Sequence, residues 1–241
     1  MPDTDLEPGP PAPVPSDRRE SVPWSLRASW IFTLLALPMA ILVGAATLFI
    51  RDASARGVLG LVLTEVGFFL PVLAYLTWRK IDWRALGFRS FEPSALAIGC
   101  GTLIVTYSLT IVHNSILLAL KWHTQAESLL RFLDAEGSAM GLAIGGVVIG
   151  PLLEEIVFRG FFFQGLRQGQ GSVKAILISS AVFAVAHLDP AAFIPTFLLG
   201  CTLAFVFDRS KSLWPGTILH VLINAVGVGA LLLSSRFPPA F

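Results

Sequence analysis

Residues 28–50 run for 23 positions without one charged side chain. As a helix rising 1.5 Å per residue, such a stretch reaches about 35 Å, enough to cross the roughly 30 Å hydrocarbon core of a bilayer. In that medium every backbone N–H and C=O must be paired internally, so the stretch is predicted to be a membrane helix with Pro38 as a tolerated kink. Arg18-Arg19 ahead of it resembles a twin-arginine signal, but the span is too long for a signal sequence and has no clear cleavage site. Six more apolar spans follow, at 57–78, 95–120, 138–166, 172–188, 190–207 and 213–234. The expected fold is therefore all-α, a polytopic membrane bundle of about seven helices occupying residues 28–234. Spans 172–188 and 190–207 are short, about 25 Å each, which allows the Asp189-Pro190 turn to lie within the membrane.

Composition agrees: 54% of the chain is hydrophobic and 14% charged, against about 25% charged in soluble domains. A net charge of +1 leaves no basic surface for nucleic acid. Residues 1–27 differ in kind, with seven prolines between Pro2 and Pro23, and read as a disordered proline-rich tail. Cys100 and Cys201 fall in apolar stretches and read as small hydrophobes. With the N-terminus inside, eleven Lys and Arg fall on the inner side and five on the outer, so the positive-inside rule predicts an integral, multi-pass cell-membrane protein with its N-terminus inside and C-terminus outside.

The chemistry must come from polar groups within the spans. Glu154, Glu155 and Arg159 would together forfeit roughly 7–10 kcal/mol if each stood alone at mid-membrane. Glu155 and Arg159 are spaced i, i+4 with the acid first, the favoured order for an ion pair. Glu154 is rotated about 100° from Glu155 and meets only Val157 and Phe158 at i+3 and i+4, so it is expected to face a cavity as a free carboxylate, suited to general base work. Gly150 and Pro151, just before it, are expected to distort the helix and free backbone carbonyls. His187 follows Phe183 by four residues and His220 precedes Asn224 by four, each pair on one helix face. Glu65 reads as a structural partner for another polar group. His113, Asn114 and His123 read as interfacial.

With these residues in place, the sequence resembles the CAAX-processing and bacteriocin-processing endopeptidases, the CPBP or Abi-type intramembrane proteases. Glu154-Glu155-Ile156-Val157-Phe158-Arg159 matches the family's E-E-x-x-x-R, Phe183 to His187 its F-x-x-x-H, and His220 to Asn224 its H-x-x-x-N. The resemblance covers roughly 138–230, the protease-like core, with 83–88 as a further short element. It implies hydrolysis of a peptide bond of a membrane-associated protein or peptide at a site buried between helices. By position, Glu154 is implied to activate water and His187 to help hold it. His220 and Asn224 are implied oxyanion donors, with Glu155 and Arg159 as the supporting pair.

The family is often called a metallopeptidase, and Glu154, His187 and His220 would be the ligands if zinc were present. There is no H-E-x-x-H, however, the three would come from separate helices, and ligation would use up the base. The expectation is thus a cofactor-free, glutamate-activated water. The alternatives are a non-catalytic immunity or scaffold protein on the same fold and a small proton-coupled transporter, the latter weakened by the absence of a visible repeat.

Overall fold

The computed structural model describes residues 21–136 and 139–236. Eight helices follow one another, α1 Leu26–Ala45, α2 Ala53–Trp78, α3 Ser94–Ala119, α4 Gln125–Glu136, α5 Ala139–Gln170, α6 Ser172–Ala186, α7 Phe193–Ser210 and α8 Leu213–Arg236. Among the described residues six are long and apolar enough to cross a membrane: α1 with its 3-10 extension to Phe49, α2, α3, α5, α7 and α8. The seventh expected span is present as α6, whose 15 residues reach only about 22 Å. The polytopic helical bundle is as expected, with boundaries shifted by a few residues.

Local signals explain the helix starts. Ser25 accepts a hydrogen bond from the Ala28 N–H at 3.1 Å, and Asp52 accepts one from Ala55 at 2.7 Å, capping α1 and α2. Packing begins before residue 28, within the last residues of the expected tail. Trp24 is 4% exposed, donates its indole N–H to the Phe161 carbonyl at 3.1 Å and lies 5.1 Å from the Phe161 ring. A large apolar side chain with a partner for its one polar atom is retained even beside prolines. Residues 1–20, the rest of that tail, lie outside the described residues.

α5 is the central helix. Half of its apolar window is buried inside the protein, against 22% for α1 and α3, whose outer faces are left for lipid. Phe158, Phe161, Phe162 and Phe163 on α5 are at most 1% exposed and organise the core with α1, α2, α6 and α7. Small residues set the close approaches, as in other membrane bundles. At Gly67 a Cβ would lie 2.8 Å from the Val43 side chain and 3.0 Å from the Met39 carbonyl, so α1 and α2 pack backbone to backbone there.

α4 was not anticipated. Its apolar residues Leu129 and Leu130 pack against Leu142 near the start of α5 and Val228 and Leu231 near the end of α8, while its sequence has no long apolar run. At that end of the bundle Asp189 receives the Ala191 N–H at 2.9 Å and faces His123 at 3.8 Å. His113 Nε2 lies 3.2 Å from the Ala191 carbonyl.

Candidate active site

α5 is not a uniform α-helix. Leu142–Ile149 and Ile156–Phe163 are π-helical and flank one short α segment, Gly150–Glu155. π segments widen the backbone ladder to i→i+5 and are frequent at functional sites. In that register the Gly146 carbonyl would take its hydrogen from residue 151, which is proline and has none. Asn224 of α8 supplies it instead, donating Nδ2–H to the Gly146 carbonyl at 2.8 Å. The expected distortion around Gly150 and Pro151 is therefore real, and one freed carbonyl is satisfied by a residue of the H-x-x-x-N element. Replacing Asn224 by Ala should leave that carbonyl orphaned at a cost of about 1–3 kcal/mol, read as a lowered Tm of the purified protein.

The carboxylates sit at the end of the short α segment. Glu155 and Arg159 are each 1% exposed along the side chain and pair at 2.9 Å, as expected from their spacing. The guanidinium also donates to the Gly200 carbonyl at 3.2 Å and lies 4.5 Å from the Phe183 ring centroid, within cation–π range. Gly200 reaches this position because α6 and α7 touch there: a Cβ on it would lie 2.9 Å from Ser180 Cβ and 3.1 Å from Ser180 Cα. Gly200→Ala should therefore overpack the α6–α7 contact and displace the carbonyl that holds Arg159, with a loss of about 1–3 kcal/mol measurable by thermal unfolding.

His220, 2% exposed, joins the two glutamates. Its Nδ1 is 3.1 Å from Glu155 Oε1, and its Nε2 is 3.6 Å from Glu154 Oε2. The first is a hydrogen bond and the second is longer than one. Glu154 is more open than its neighbour, at 17% exposed along the side chain, in keeping with a carboxylate that is not locked by a partner.

Glu65, expected as a structural partner for another polar group, lies beside the short α segment. Leu61 and Glu65 share one face of α2, and that face meets two glycines of α5. A Cβ at Gly145 would lie 2.8 Å from Leu61 Cβ, and one at Gly150 would lie 3.2 Å from Glu65 Cδ. The two glycines thus let α2 close in until the Glu65 carboxyl reaches Gly150, at the start of the short α segment that ends in Glu154 and Glu155. The i, i+4 pair on α2 opposite a glycine pair was the signal that could have identified it.

Among the described residues, His187 shares no hydrogen bond or ion pair with the cluster. It caps the end of α6, with Nδ1 2.9 Å from the Phe183 carbonyl. The Phe183 ring stands between the two histidines, its centroid 4.8 Å from His187 and 5.9 Å from His220. No hydrogen bond or ion pair among the described residues joins His187 to Glu154.

That geometry bears on zinc. A catalytic zinc site takes three protein ligands and keeps one position open. Glu154 and His220 offer two adjacent donors, and Glu155 behind His220 resembles the carboxylate that orients a ligating histidine. The third donor, His187, is across an aromatic ring, and among the described residues no three His, Cys, Asp or Glu groups converge as a metal site. The donor set as arranged does not fit.

Comparison with known proteins follows this geometry. Residues 136–226 match the family described as "Type II CAAX prenyl endopeptidase Rce1-like". The chain is also similar to the "Putative membrane peptidase YdiL" of Bacillus subtilis (strain 168), 31% identical over 100 residues, covering 42% of this chain and 41% of that protein. No solved structure matches. The resemblance drawn from the three motifs is borne out over this segment, and the chain spans about two fifths of the length of the curated relative it matches.

Proposed function

We propose that this chain, which resembles the CAAX endopeptidases from residue 136 to 226, is an intramembrane endopeptidase acting on a membrane-associated protein or peptide. The observation that carries the reading is the chain of ionisable groups Glu154, His220, Glu155 and Arg159, successive members 3.6, 3.1 and 2.9 Å apart and set among apolar helices. A purely structural ion pair would need only the last two.

In this reading water sits beside Glu154 and attacks the scissile carbonyl. The C–O bond forms as the water proton passes to Glu154, then the C–N bond breaks and Glu154 returns that proton to the leaving amine. His220 hydrogen-bonds Glu155 through Nδ1, which fixes the ring and turns Nε2 towards Glu154 and the reacting carbonyl. With both ring nitrogens protonated, the four-residue chain carries no net charge, and Nε2–H is a preorganised oxyanion donor. Asn224 spends one amide hydrogen on Gly146 and has a second for the same oxyanion. His187 approaches the water only across Phe183, so its part is to fix the far side of the substrate or the water once a substrate is bound. The protein works without a metal in this proposal, at a site midway along α5, in a bundle whose N-terminus is inside.

Two measurements test it. Terminal peptides are compared between cells carrying the protein and cells carrying Glu154→Gln; new C- and N-termini seen only with the former are expected, and identical termini in both would sink the proposal. Elemental analysis of active purified protein, with chelator treatment, addresses the metal. Activity that persists without zinc is expected, and stoichiometric zinc lost in step with activity would replace the glutamate mechanism.

A further inference from the structure

The end of the bundle opposite α4 carries a second built feature. Between α2 and α3 the chain makes a single 3-10 turn, Trp83–Leu86, capped by Asp82, whose side chain receives the Arg84 N–H at 2.9 Å. Gly87 then reverses the chain at φ +102°, pressed against Phe207, where a Cβ would lie 2.8 Å from the ring. Three bonds fasten this segment to the catalytic helices: Gln164 donates to the Ala85 carbonyl at 2.9 Å, Leu213 N–H to the Gly87 carbonyl at 2.9 Å, and Ser212 Oγ–H to the Arg89 carbonyl at 2.6 Å. Leu86 is fully buried against α5. The backbone that presents Arg84 and Arg89 is therefore held rigidly.

Several neighbouring cations have partners. Arg167 and Lys211 both pair with Asp208, at 2.8 and 2.7 Å, while Arg79 lies over Trp78 and Arg209 over Phe205. Arg84 and Arg89 are exposed, and among the described residues no carboxylate lies within 4.0 Å of either guanidinium. Together with Phe88 they line an open cavity of about 530 Å³. Phe88 is flanked by Trp83 and Trp214, with ring centroids 6.0 and 5.7 Å away, and both tryptophans are 42% exposed. Half-exposed tryptophans at the ends of membrane helices mark the headgroup level.

We infer that this cavity binds the phosphodiester headgroup of an anionic phospholipid, held by the Arg84 and Arg89 guanidiniums, with Phe88 and the tryptophans against the glycerol and upper acyl chains. Two arginine forks on a rigid loop suit a phosphate with two free oxygens, and an apolar floor flanked by indoles suits a ligand that is half lipid. A peptide carboxylate would use the arginines and leave that floor without a partner. The loop that forms the site is fastened to α5 and to the segment leading into α8, the helices that bear Glu154 and His220.

The full chain is reconstituted into nanodiscs of phosphatidylcholine containing a minority of phosphatidylglycerol, then released and analysed by native mass spectrometry for retained lipid. Phosphatidylglycerol is expected to be enriched roughly tenfold or more over its share of the bilayer, since each basic side chain near the surface adds substantially to the attraction. Arg84→Gln/Arg89→Gln should abolish the enrichment, while Lys174→Gln, an exposed cation at the same end, should preserve it. Arg84→Lys/Arg89→Lys should fall between, keeping charge and losing the fork. Tryptophan emission and thermal unfolding establish that each variant is folded. Equal enrichment in the double glutamine variant would overturn the proposal. So would displacement of the lipid by excess inorganic phosphate, which would make this a site for free anions. Unaltered lipid retention with a raised KM for a cleaved peptide would overturn it in favour of a substrate carboxylate.

Discussion

Glu154→Gln is expected to reduce kcat for a cleaved peptide by about 10²–10⁴-fold, the usual contribution of a positioned general base. Gln keeps the shape and the hydrogen-bonding reach of Glu but cannot take the water proton. KM should change little, because the carboxylate acts on water and not on the ground-state peptide. Tm should also be nearly unchanged. The contact from Glu154 to His220 is 3.6 Å, too long for a strong bond, and the side chain is more open than that of Glu155. Assay of reconstituted protein with a peptide identified from the terminal comparison, beside its unfolding curve, separates the two effects. A variant that is folded and turns over at the unsubstituted rate would remove Glu154 from the mechanism. Loss of activity together with a large fall in Tm would assign Glu154 to the structure instead.

The two glutamates differ because of helix geometry that is visible in sequence, and much else about the site is not. Apolar spans are legible since a charge at mid-membrane is so costly that its absence over 20 residues has few other meanings. The Glu155–Arg159 pair is legible because both ends lie on one helix. The reach of His220 to both glutamates is not, since it joins residues 65 apart in the chain and depends on how closely α8 approaches α5. Gly216 permits that approach, as a Cβ there would lie 3.0 Å from Glu155 Oε2.

Glu65 was legible as an oddity and not as a neighbour of Gly150, because glycines on another helix bring it in. His187 shows the converse. Its i, i+4 relation to Phe183 is real, but the ring turns inward to cover Arg159 and separates the two histidines. α4 escaped notice because a 12-residue amphipathic helix leaves no long apolar run.

The largest stability effect is expected at Arg159. Removing it as Arg159→Met keeps the length and apolar stem of the side chain but leaves Glu155 buried, with one oxygen bonded to His220 and the other without a hydrogen-bond partner. Breaking a buried pair from one side costs about 3–5 kcal/mol, because an uncompensated charge is left in a low-dielectric interior. Replacing both as Glu155→Leu/Arg159→Met removes both charges together, and most of that loss should return. Unfolding of the purified single and double variants measures the coupling. A double variant as unstable as Arg159→Met would mean that packing around the guanidinium, including its contact with Phe183 and Gly200, outweighs the pairing of charge. Activity should not return with stability, because His220 in the double variant has lost the carboxylate that fixes its ring. A stable, folded and inactive double variant would separate the two roles of Glu155: neutralising Arg159, which another arrangement can replace, and orienting His220, which it cannot.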